Sequence, residues 1–140
     1  MDISSPLELR ETLPQPDEYF ALFESTGWNE EYRLDAAQLH AAASRSWRIV
    51  SAYENGLLAG SGRILSDGVF HALIVDMIVL PTHQGRGIGT AILQRLLQHC
   101  REGGIRDVQL FCARGKAGFY NQSGFEARPA EAPGMEQRLP

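Results

Sequence analysis

The sequence has little of several features that would point to a particular class of protein. Its 140 residues include only two cysteines, Cys100 and Cys112, which are too few for a disulfide framework. The best apolar run, from Ala72 to Leu80, is short and is interrupted by Asp76, so we expect no membrane-spanning segment. Residues 1–6 lack the charged-then-apolar pattern of a signal peptide. We therefore expect a cytoplasmic protein with no membrane partner.

Positive charge is also scarce. Thirteen lysines and arginines stand against seventeen aspartates and glutamates, and the basic residues are scattered, so a nucleic-acid partner is not expected. No group of His, Cys and Asp has the spacing of metal ligands, which predicts no metal site. With 44% hydrophobic residues, the chain has the composition of one globular domain over residues 1–140, as a monomer or a homodimer. Both cysteines are expected to be small core residues.

A glycine-rich stretch follows the most apolar part of the chain and opens a helix. Glycines at 85, 87 and 89 permit a sharp turn, and from Ile88 onward apolar residues recur at helical spacing. The first-turn N–H groups of such a helix have no partner within it, and the helix dipole adds roughly half a positive charge there. Arg86 can add a full charge. The stretch therefore predicts a site that holds a phosphate.

The spacing of these glycines distinguishes between families of phosphate-binding loops. The nucleotide-hydrolase loop requires Gly-Lys-Ser or Gly-Lys-Thr, which occurs nowhere in the chain. The dinucleotide fingerprint is a weak match, because Thr90 stands where its third glycine belongs and Asp107 does not stand at the end of the next predicted strand. The residues do match the pattern Q-x-x-G-x-G, from Gln84 to Gly89.

This pattern resembles the coenzyme A diphosphate motif of the GCN5-related N-acetyltransferases, and two further segments extend the likeness. Residues 117–125 are similar to the family's F-Y-x-x-x-G-F segment, and residues 62–68 are similar to the G-R-x-x-S-D-G hairpin of a compact single-domain branch. The resemblance implies an α/β fold, with a mixed central sheet of about six to seven strands and flanking helices. About the first 45 residues match only loosely.

The pattern along the chain predicts antiparallel strands first and a strand–helix–strand crossover afterwards. Helices are expected from an N-cap at Asp17, over residues 35–44, from Ile88 onward and over residues 114–122. Strands are expected over residues 7–10, 47–53, 57–65, 69–80, 105–111 and 135–139, with a tight hairpin turn at 54–56.

The resemblance assigns a catalytic acid. Tyr120 matches the family's general acid, which protonates the departing coenzyme A thiolate. A tyrosine has an ordinary pKa of about 10, so the phenol is protonated at neutral pH. The alternative is a core tyrosine that packs beside Phe119 and Phe125.

The resemblance also assigns the coenzyme site to two consecutive segments. Backbone groups of Met77, Ile78 and Val79 are expected to bind the pantetheine arm and to polarise the thioester carbonyl. The diphosphate of acetyl-CoA is expected to lie on Gln84, Gly85, Arg86, Gly87, Ile88, Gly89 and Thr90.

A base is needed because the attacking amine must be uncharged, whereas a lysine-like amine has a pKa near 10.4. Asp76 is the first candidate, since it interrupts an apolar strand beside the glycine loop, where a buried carboxylate is costly without a task. Alternatively, Asp76 accepts backbone hydrogen bonds or pairs with an arginine such as Arg63. Weaker candidates for the base are Glu24, Glu30, Glu31, His71 and His83.

The sequence therefore predicts an acetyl-CoA-dependent N-acetyltransferase, which transfers an acetyl group to a primary amine of a small molecule or peptide by direct attack. A covalent intermediate on Cys112 is less favoured, because no base adjoins that residue in the sequence. Two other classes stay open: a non-catalytic acyl-CoA-binding or sensing module, and an unrelated nucleotide-binding domain. Trp28, Tyr32 and Trp47 are candidates for an aromatic amine pocket or for the core.

Overall fold

The computed structural model describes residues 6–140, which form two compact units. The first unit extends to Gln109, and the second runs from Leu110 to Pro140. Residues 1–5, which make up most of the segment considered for a signal peptide, lie outside the described residues. The single domain expected from the composition stays a prediction.

The sheet contains five strands among the described residues, in the order β1-β2-β3-β4-β5, which is fewer than the six to seven expected. The pairs β1–β2, β2–β3 and β3–β4 are antiparallel. The strand expected at 135–139 does not form, because Met135 and Leu139 are 84% and 79% exposed and have no apolar surface to cover. The strands are β1 (Leu7–Arg10), β2 (Arg48–Glu54), β3 (Leu57–Ser66), β4 (His71–Val79) and β5 (Asp107–Leu110).

Five helices occur in the described residues. The first begins two residues earlier than expected, because its N-cap is Gln15 and not Asp17, and the Gln15 N–H donates to the Glu18 carboxylate. The third, expected over residues 35–44, has Asp35 as its N-cap, and the Asp35 carboxylate accepts from the Gln38 N–H at 2.8 Å. The helices are α1 (Pro16–Glu24), α2 (Asn29–Tyr32), α3 (Ala36–Ser44), α4 (Ile88–Glu102) and α5 (Ala117–Asn121).

Helices cover both faces of the sheet, because successive residues of a strand point to opposite sides. Gly62 on β3 faces α4, where a Cβ atom would lie only 3.0 Å from side-chain atoms of Ile92 and Leu96. The next residue, Arg63, instead reaches the end of α3, where it contacts Ser46. Glycine on β3 thus allows α4 to pack closely, while α1 and α3 pack on the other face.

The core on the α1 and α3 side is built from alternate strand residues and from one apolar stripe of each helix. Tyr19 and Leu22 of α1 are 2% and 1% exposed. Burial of these large side chains fixes α1 against the sheet. The cluster comprises Tyr19, Leu22, Phe23, Leu39, Ala43, Ile49, Tyr53, Leu58 and Ile78.

No helix among residues 6–140 is both long and apolar enough to cross a membrane.

Candidate active site

The C-terminal half of β4 extends beyond its short neighbour β5. Helix α4 follows β4 after the glycine loop. At 1.5 Å per residue, its 15 residues carry the chain back by roughly 22 Å toward the start of β4. The Asp107 N–H then donates to the Phe70 carbonyl, so β5 starts beside the start of β4 and runs in the same direction. Since β5 has four residues and β4 has nine, β5 cannot cover the end of β4. The backbone around Met77–Val79, where the coenzyme arm is expected, therefore borders an edge that is open in the sense that β5 does not pair with it.

A β-bulge lies within this part of β4. Ser61 pairs with Ile78, but Arg63 pairs with Val75, so two residues of β4 stand opposite one residue of β3. Asp76 is one of the two and has a left-handed φ of 53°. Aspartate tolerates this conformation better than most residues do. The bulge therefore sets the direction of the Asp76 side chain.

Asp76 forms an ion pair with Arg63. The Arg63 Nε and Nη2 atoms lie 3.0 and 2.9 Å from the same oxygen, Oδ2, of Asp76. The Arg63 Nη1 atom donates to Ser46 Oγ at 3.2 Å and to the Ala42 carbonyl at 3.3 Å. Burial, together with the negative charge of Asp76, raises the pKa of the nearby Tyr19 phenol to about 12. The arginine pairing considered as an alternative for Asp76 is thus present.

The glycine loop has the geometry of an anion-binding turn. Gly85 and Gly87 have φ values of 77° and 82°, which other residues rarely adopt. Gly87 is the N-cap of α4, with no side chain capping the helix. The Gln84 side chain donates to the Val79 carbonyl at 3.0 Å and fixes the loop to the end of β4. The segment 84–90 therefore presents the uncapped start of a helix beside the open strand edge.

Glu54 holds the same loop from the end of β2. Its carboxylate accepts a hydrogen bond from the Arg86 guanidinium. The His83 Nε2 atom lies 3.7 Å from the other Glu54 oxygen, and the His83 Nδ1 atom is 2.8 Å from the Thr82 hydroxyl. The sequence predicts Glu54 only as part of a hairpin turn, because no local pattern reveals a partner 32 positions away. His83, a candidate base, thus has a hydrogen-bond partner at Nδ1 and a carboxylate 3.7 Å from Nε2.

The remaining candidates for the base lie in separate places. His71 pairs with Asp107 at 2.7 Å, where β4 and β5 begin. Glu24 accepts from the Asn29 side chain at 3.4 Å. Glu30 and Glu31 are exposed at α2. His71 and Glu24 thus have partners other than Asp76 and Arg63.

The three candidate aromatic residues do not form one group. Trp28 is 37% exposed and contacts Phe23 edge to face, and Tyr32 is 47% exposed. Trp47 packs against Gly103, at the C-terminal end of α4. The glycine loop lies at the other end of that helix, so Trp47 is a full helix length from the proposed coenzyme site.

Tyr120 belongs to the second unit, on α5. Its ring contacts Phe119 and Phe125 edge to face, with centroids 4.9 and 6.0 Å away. Burial raises the pKa of the phenol, and the Cys112 thiol raises it further. Cys112 itself is exposed, contrary to the core position expected, because it lies in the exposed segment after β5. Cys100 is buried in α4 as predicted.

Among the described residues, no group of three or more His, Cys, Asp or Glu side chains is placed to hold a metal ion.

Residues 10–125 match the profile of the acetyltransferase (GNAT) family. That segment is well over half of the 140-residue chain. The chain belongs to the GNAT family. The resemblance inferred from the glycine and tyrosine motifs is thereby confirmed.

Curated GNAT relatives are longer proteins. The histone acetyltransferase TAP1 of Glycine max is 32% identical over 126 residues, which are 82% of this chain and 53% of that protein. Serotonin N-acetyltransferase 2, chloroplastic, of Oryza sativa subsp. japonica is 37% identical over 73 residues, or 52% of this chain and 36% of that protein. The chain thus spans about half of these relatives or less.

Solved GNAT structures share the fold along nearly the whole chain. A GNAT family acetyltransferase from Streptococcus pneumoniae superposes with a TM-score of 0.81 at 26% identity, covering 96% of this chain and 98% of that one. Glucosamine-6-phosphate N-acetyltransferase from Arabidopsis thaliana gives 0.73 at 16% identity, covering 96% and 99%. The α/β GNAT fold is therefore confirmed, with fewer strands than expected.

Proposed function

We propose that this protein is an acetyl-CoA-dependent N-acetyltransferase that acts on a primary amine. The observation that carries the proposal is the continuous path from the open backbone edge of β4, through the left-handed glycines of the loop, to the uncapped start of α4. Membership of the GNAT family supports the same activity. Acetyl-CoA supplies the thioester, and the protein has to bind it, orient it and move two protons.

The loop residues Gln84–Thr90 are proposed to bind the diphosphate. The first-turn N–H groups of α4 donate to phosphate oxygens, and the helix dipole favours the negative charge. The backbone of Met77–Val79 is proposed to pair with the pantetheine arm as an added strand would. An N–H of the same segment then stabilises the negative charge that develops on the thioester oxygen.

Asp76 is proposed to take the proton of the amine, directly or through one water. Deprotonation of an alkyl ammonium at pH 7 costs about 4 to 5 kcal/mol, so a positioned carboxylate contributes substantially. The Arg63 contacts hold the carboxylate in one orientation, and the bulge aims it away from α4. Orientation of this kind is what a general base requires.

Tyr120 is proposed to return a proton to the departing thiolate. Its assignment depends on the F-Y-x-x-x-G-F resemblance and on a phenol that stays protonated, because its pKa is raised by burial. Direct transfer from acetyl-CoA to the amine needs no covalent intermediate on Cys112.

The acceptor is proposed to be a primary amine of a small molecule or a peptide. The names of two relatives specify histone and serotonin as their substrates, and both carry primary amines. Trp28 and Tyr32 expose aromatic surface beside the acidic residues of α2, which suits a cationic or aromatic amine. A cytoplasmic location and a monomeric or homodimeric state stay predictions.

One observation favours a second candidate function. The Asp76 oxygen Oδ2 is already in contact with two Arg63 nitrogens, as expected of a carboxylate with a purely structural role. A protein without a base would bind acyl-CoA without turning it over, as a sensor does. Whether the Asp76 carboxylate acts as a base therefore distinguishes the enzyme from the acyl-CoA-binding module.

Calorimetric titration tests the coenzyme site without knowledge of the acceptor. We expect acetyl-CoA to bind at micromolar concentration and ATP and NAD to bind at least a hundredfold more weakly, because neither nucleotide offers a pantetheine arm to β4. Preference for ATP or NAD would favour the nucleotide-binding class. Equal weak binding of all three would contradict the proposal.

A further inference from the structure

Glu54 places a carboxylate against the loop that is proposed to bind a diphosphate. It is the last residue of β2, before a hairpin turn in which Asn55 and Gly56 both have positive φ. Its side chain is only 18% exposed. One carboxylate oxygen accepts from Arg86, and the other lies 3.7 Å from His83. The Glu54 carboxylate is thus largely buried, whereas the Arg86 side chain that pairs with it is 45% exposed.

This arrangement opposes anion binding. Arg86 stands between Gly85 and Gly87, where its guanidinium is the nearest full positive charge that the loop sequence offers to a phosphate. The guanidinium is turned to Glu54 instead, and the carboxylate adds a like charge beside any phosphate that enters. An anion that binds the loop therefore has to displace the Arg86 guanidinium from Glu54 or contact it while it remains paired with Glu54.

We infer that Glu54 lowers the affinity of the loop for diphosphates by holding Arg86, so that only anions with additional contacts elsewhere bind the loop tightly. The inference depends on the proposed acetyl-CoA site. Inorganic pyrophosphate contacts only the loop. No other contact offsets the free energy that is needed to displace Arg86 from Glu54. Acetyl-CoA has the same cost at the loop but gains contacts along β4. Glu54 thereby lowers the affinity for both ligands by a similar factor, and acetyl-CoA, with its additional contacts along β4, remains the tighter ligand.

The test compares Glu54→Gln with the wild type in titrations of acetyl-CoA and of inorganic pyrophosphate. The amide keeps the size of the side chain and removes its charge. We expect acetyl-CoA and pyrophosphate each to bind about three- to tenfold more tightly, by similar factors, because the change acts on the diphosphate that both contain. Glu8→Gln is the matched control: it removes an exposed carboxylate of β1, paired with Arg10, and changes the net charge equally.

A second pair of variants separates capture of Arg86 from general repulsion. In an Arg86→Gln background there is no guanidinium to release, so Glu54→Gln is expected to tighten acetyl-CoA by a clearly smaller factor than in the wild type. An equal or larger factor would overturn the inference, because Glu54 would then act only as a distant negative charge.

The remaining outcomes are also decisive. Unchanged or weaker acetyl-CoA binding by Glu54→Gln, with an unaltered melting temperature, overturns the inference and leaves the proposed function intact. Glu54→Met, uncharged and of similar length, provides a second substitution if the glutamine variant folds poorly. Absence of acetyl-CoA binding in the wild type and in every variant overturns the proposed function together with the inference.

Discussion

Arg63 holds Asp76 by one oxygen, with Nε at 3.0 Å and Nη2 at 2.9 Å from Oδ2. The pair joins β3 to the bulge of β4, and the side chains of Arg63 and Asp76 are only 12% and 26% exposed. Arg63 is itself held by the Ser46 hydroxyl and the Ala42 carbonyl at the end of α3. A carboxylate fixed in this way keeps one direction, which serves a base and a structural anchor equally well.

Asp76→Asn separates these two roles. Asparagine tolerates the left-handed conformation at position 76 and keeps an oxygen for Arg63, so the bulge is preserved. We expect turnover to fall by about 10²- to 10⁴-fold, the usual contribution of a general base, while the Kd for acetyl-CoA stays within about twofold. Steady-state kinetics and calorimetry measure the two quantities. Turnover within about twofold of the wild type would remove Asp76 from the chemistry.

Arg63→Met is the control for Asp76→Asn, because it breaks the same pair but leaves the carboxylate. We expect it to lower the free energy of unfolding by about 1–3 kcal/mol, through the loss of partly buried charged hydrogen bonds. Its turnover should fall far less than that of Asp76→Asn. Equal losses of turnover in the two variants would show that Asp76 matters only as the partner of Arg63.

Tyr120→Phe tests the proposed acid. Removal of the hydroxyl should lower turnover by about 10²-fold without weakening acetyl-CoA binding. Because burial raises the pKa of Tyr120 above its ordinary value of 10.0, the phenol stays protonated as the pH rises, and turnover should show no loss below about pH 10. A pH profile of turnover checks this. An alkaline loss near pH 8 that disappears in Tyr120→Phe would contradict the raised pKa.

Gly62→Ala tests the packing of α4 on the sheet. The added Cβ would contact the Met77 sulfur and would lie 3.0 Å from atoms of Ile92 and Leu96. We expect a loss of about 1–3 kcal/mol in the free energy of unfolding, measured by urea denaturation. Gly118→Ala is the control, since nothing lies within 4 Å of its added Cβ. Equal stability of the two variants would show that α4 adjusts freely.

Glu11, in the segment after β1, forms ion pairs with residues of α4. From these ion pairs we expect the stability of the protein to depend on pH. Its carboxylate contacts Arg95 at 3.2 Å and also His99. Burial raises the pKa of Glu11, but the contacts with His99 and Arg95 outweigh it, and the pKa lies below the ordinary 4.5. A depressed pKa contributes stability that is complete above the unfolded value and is lost as the pH falls through the folded value.

Glu11→Gln should therefore be less stable than the wild type at pH 7, by at most about 1 kcal/mol because the pair is exposed. The difference should disappear as the pH falls from about 5 through the depressed pKa. Urea denaturation at several pH values measures it. A difference that is the same at pH 7 and pH 3 would mean that the charge of Glu11 is not involved.

The parts of the fold that were predictable are those specified by local patterns. β1 has the predicted bounds, and α4 begins at Ile88, because glycine conformation and helical apolar spacing act within a few residues. The hairpin at Asn55 and Gly56 likewise depends only on those two residues, both of which have positive φ. These features include the whole of the loop proposed to hold the coenzyme.

The features that were missed depend on particular side-chain contacts or on pairings between distant residues. Helix α2 is followed by a left-handed Arg33, and the side chain of Asn29 bonds both backbone groups of Leu34, which no period of apolar residues reveals. The bulge at Asp76 arises from the register between β3 and β4. The pairing of Glu54 with Arg86 joins residues 32 positions apart. A single sequence contains no signal for such pairings.

The most direct test of the central claim is release of free thiol from acetyl-CoA across a panel of primary amines. The panel should include a serotonin-like arylalkylamine, polyamines and lysine peptides, with Asp76→Asn assayed in parallel. We expect at least one amine to release thiol with formation of its N-acetyl product, and the variant to lose that activity while still binding acetyl-CoA. No turnover with any amine, despite micromolar binding of acetyl-CoA by the wild type, would contradict the acetyltransferase and favour the acyl-CoA-binding module.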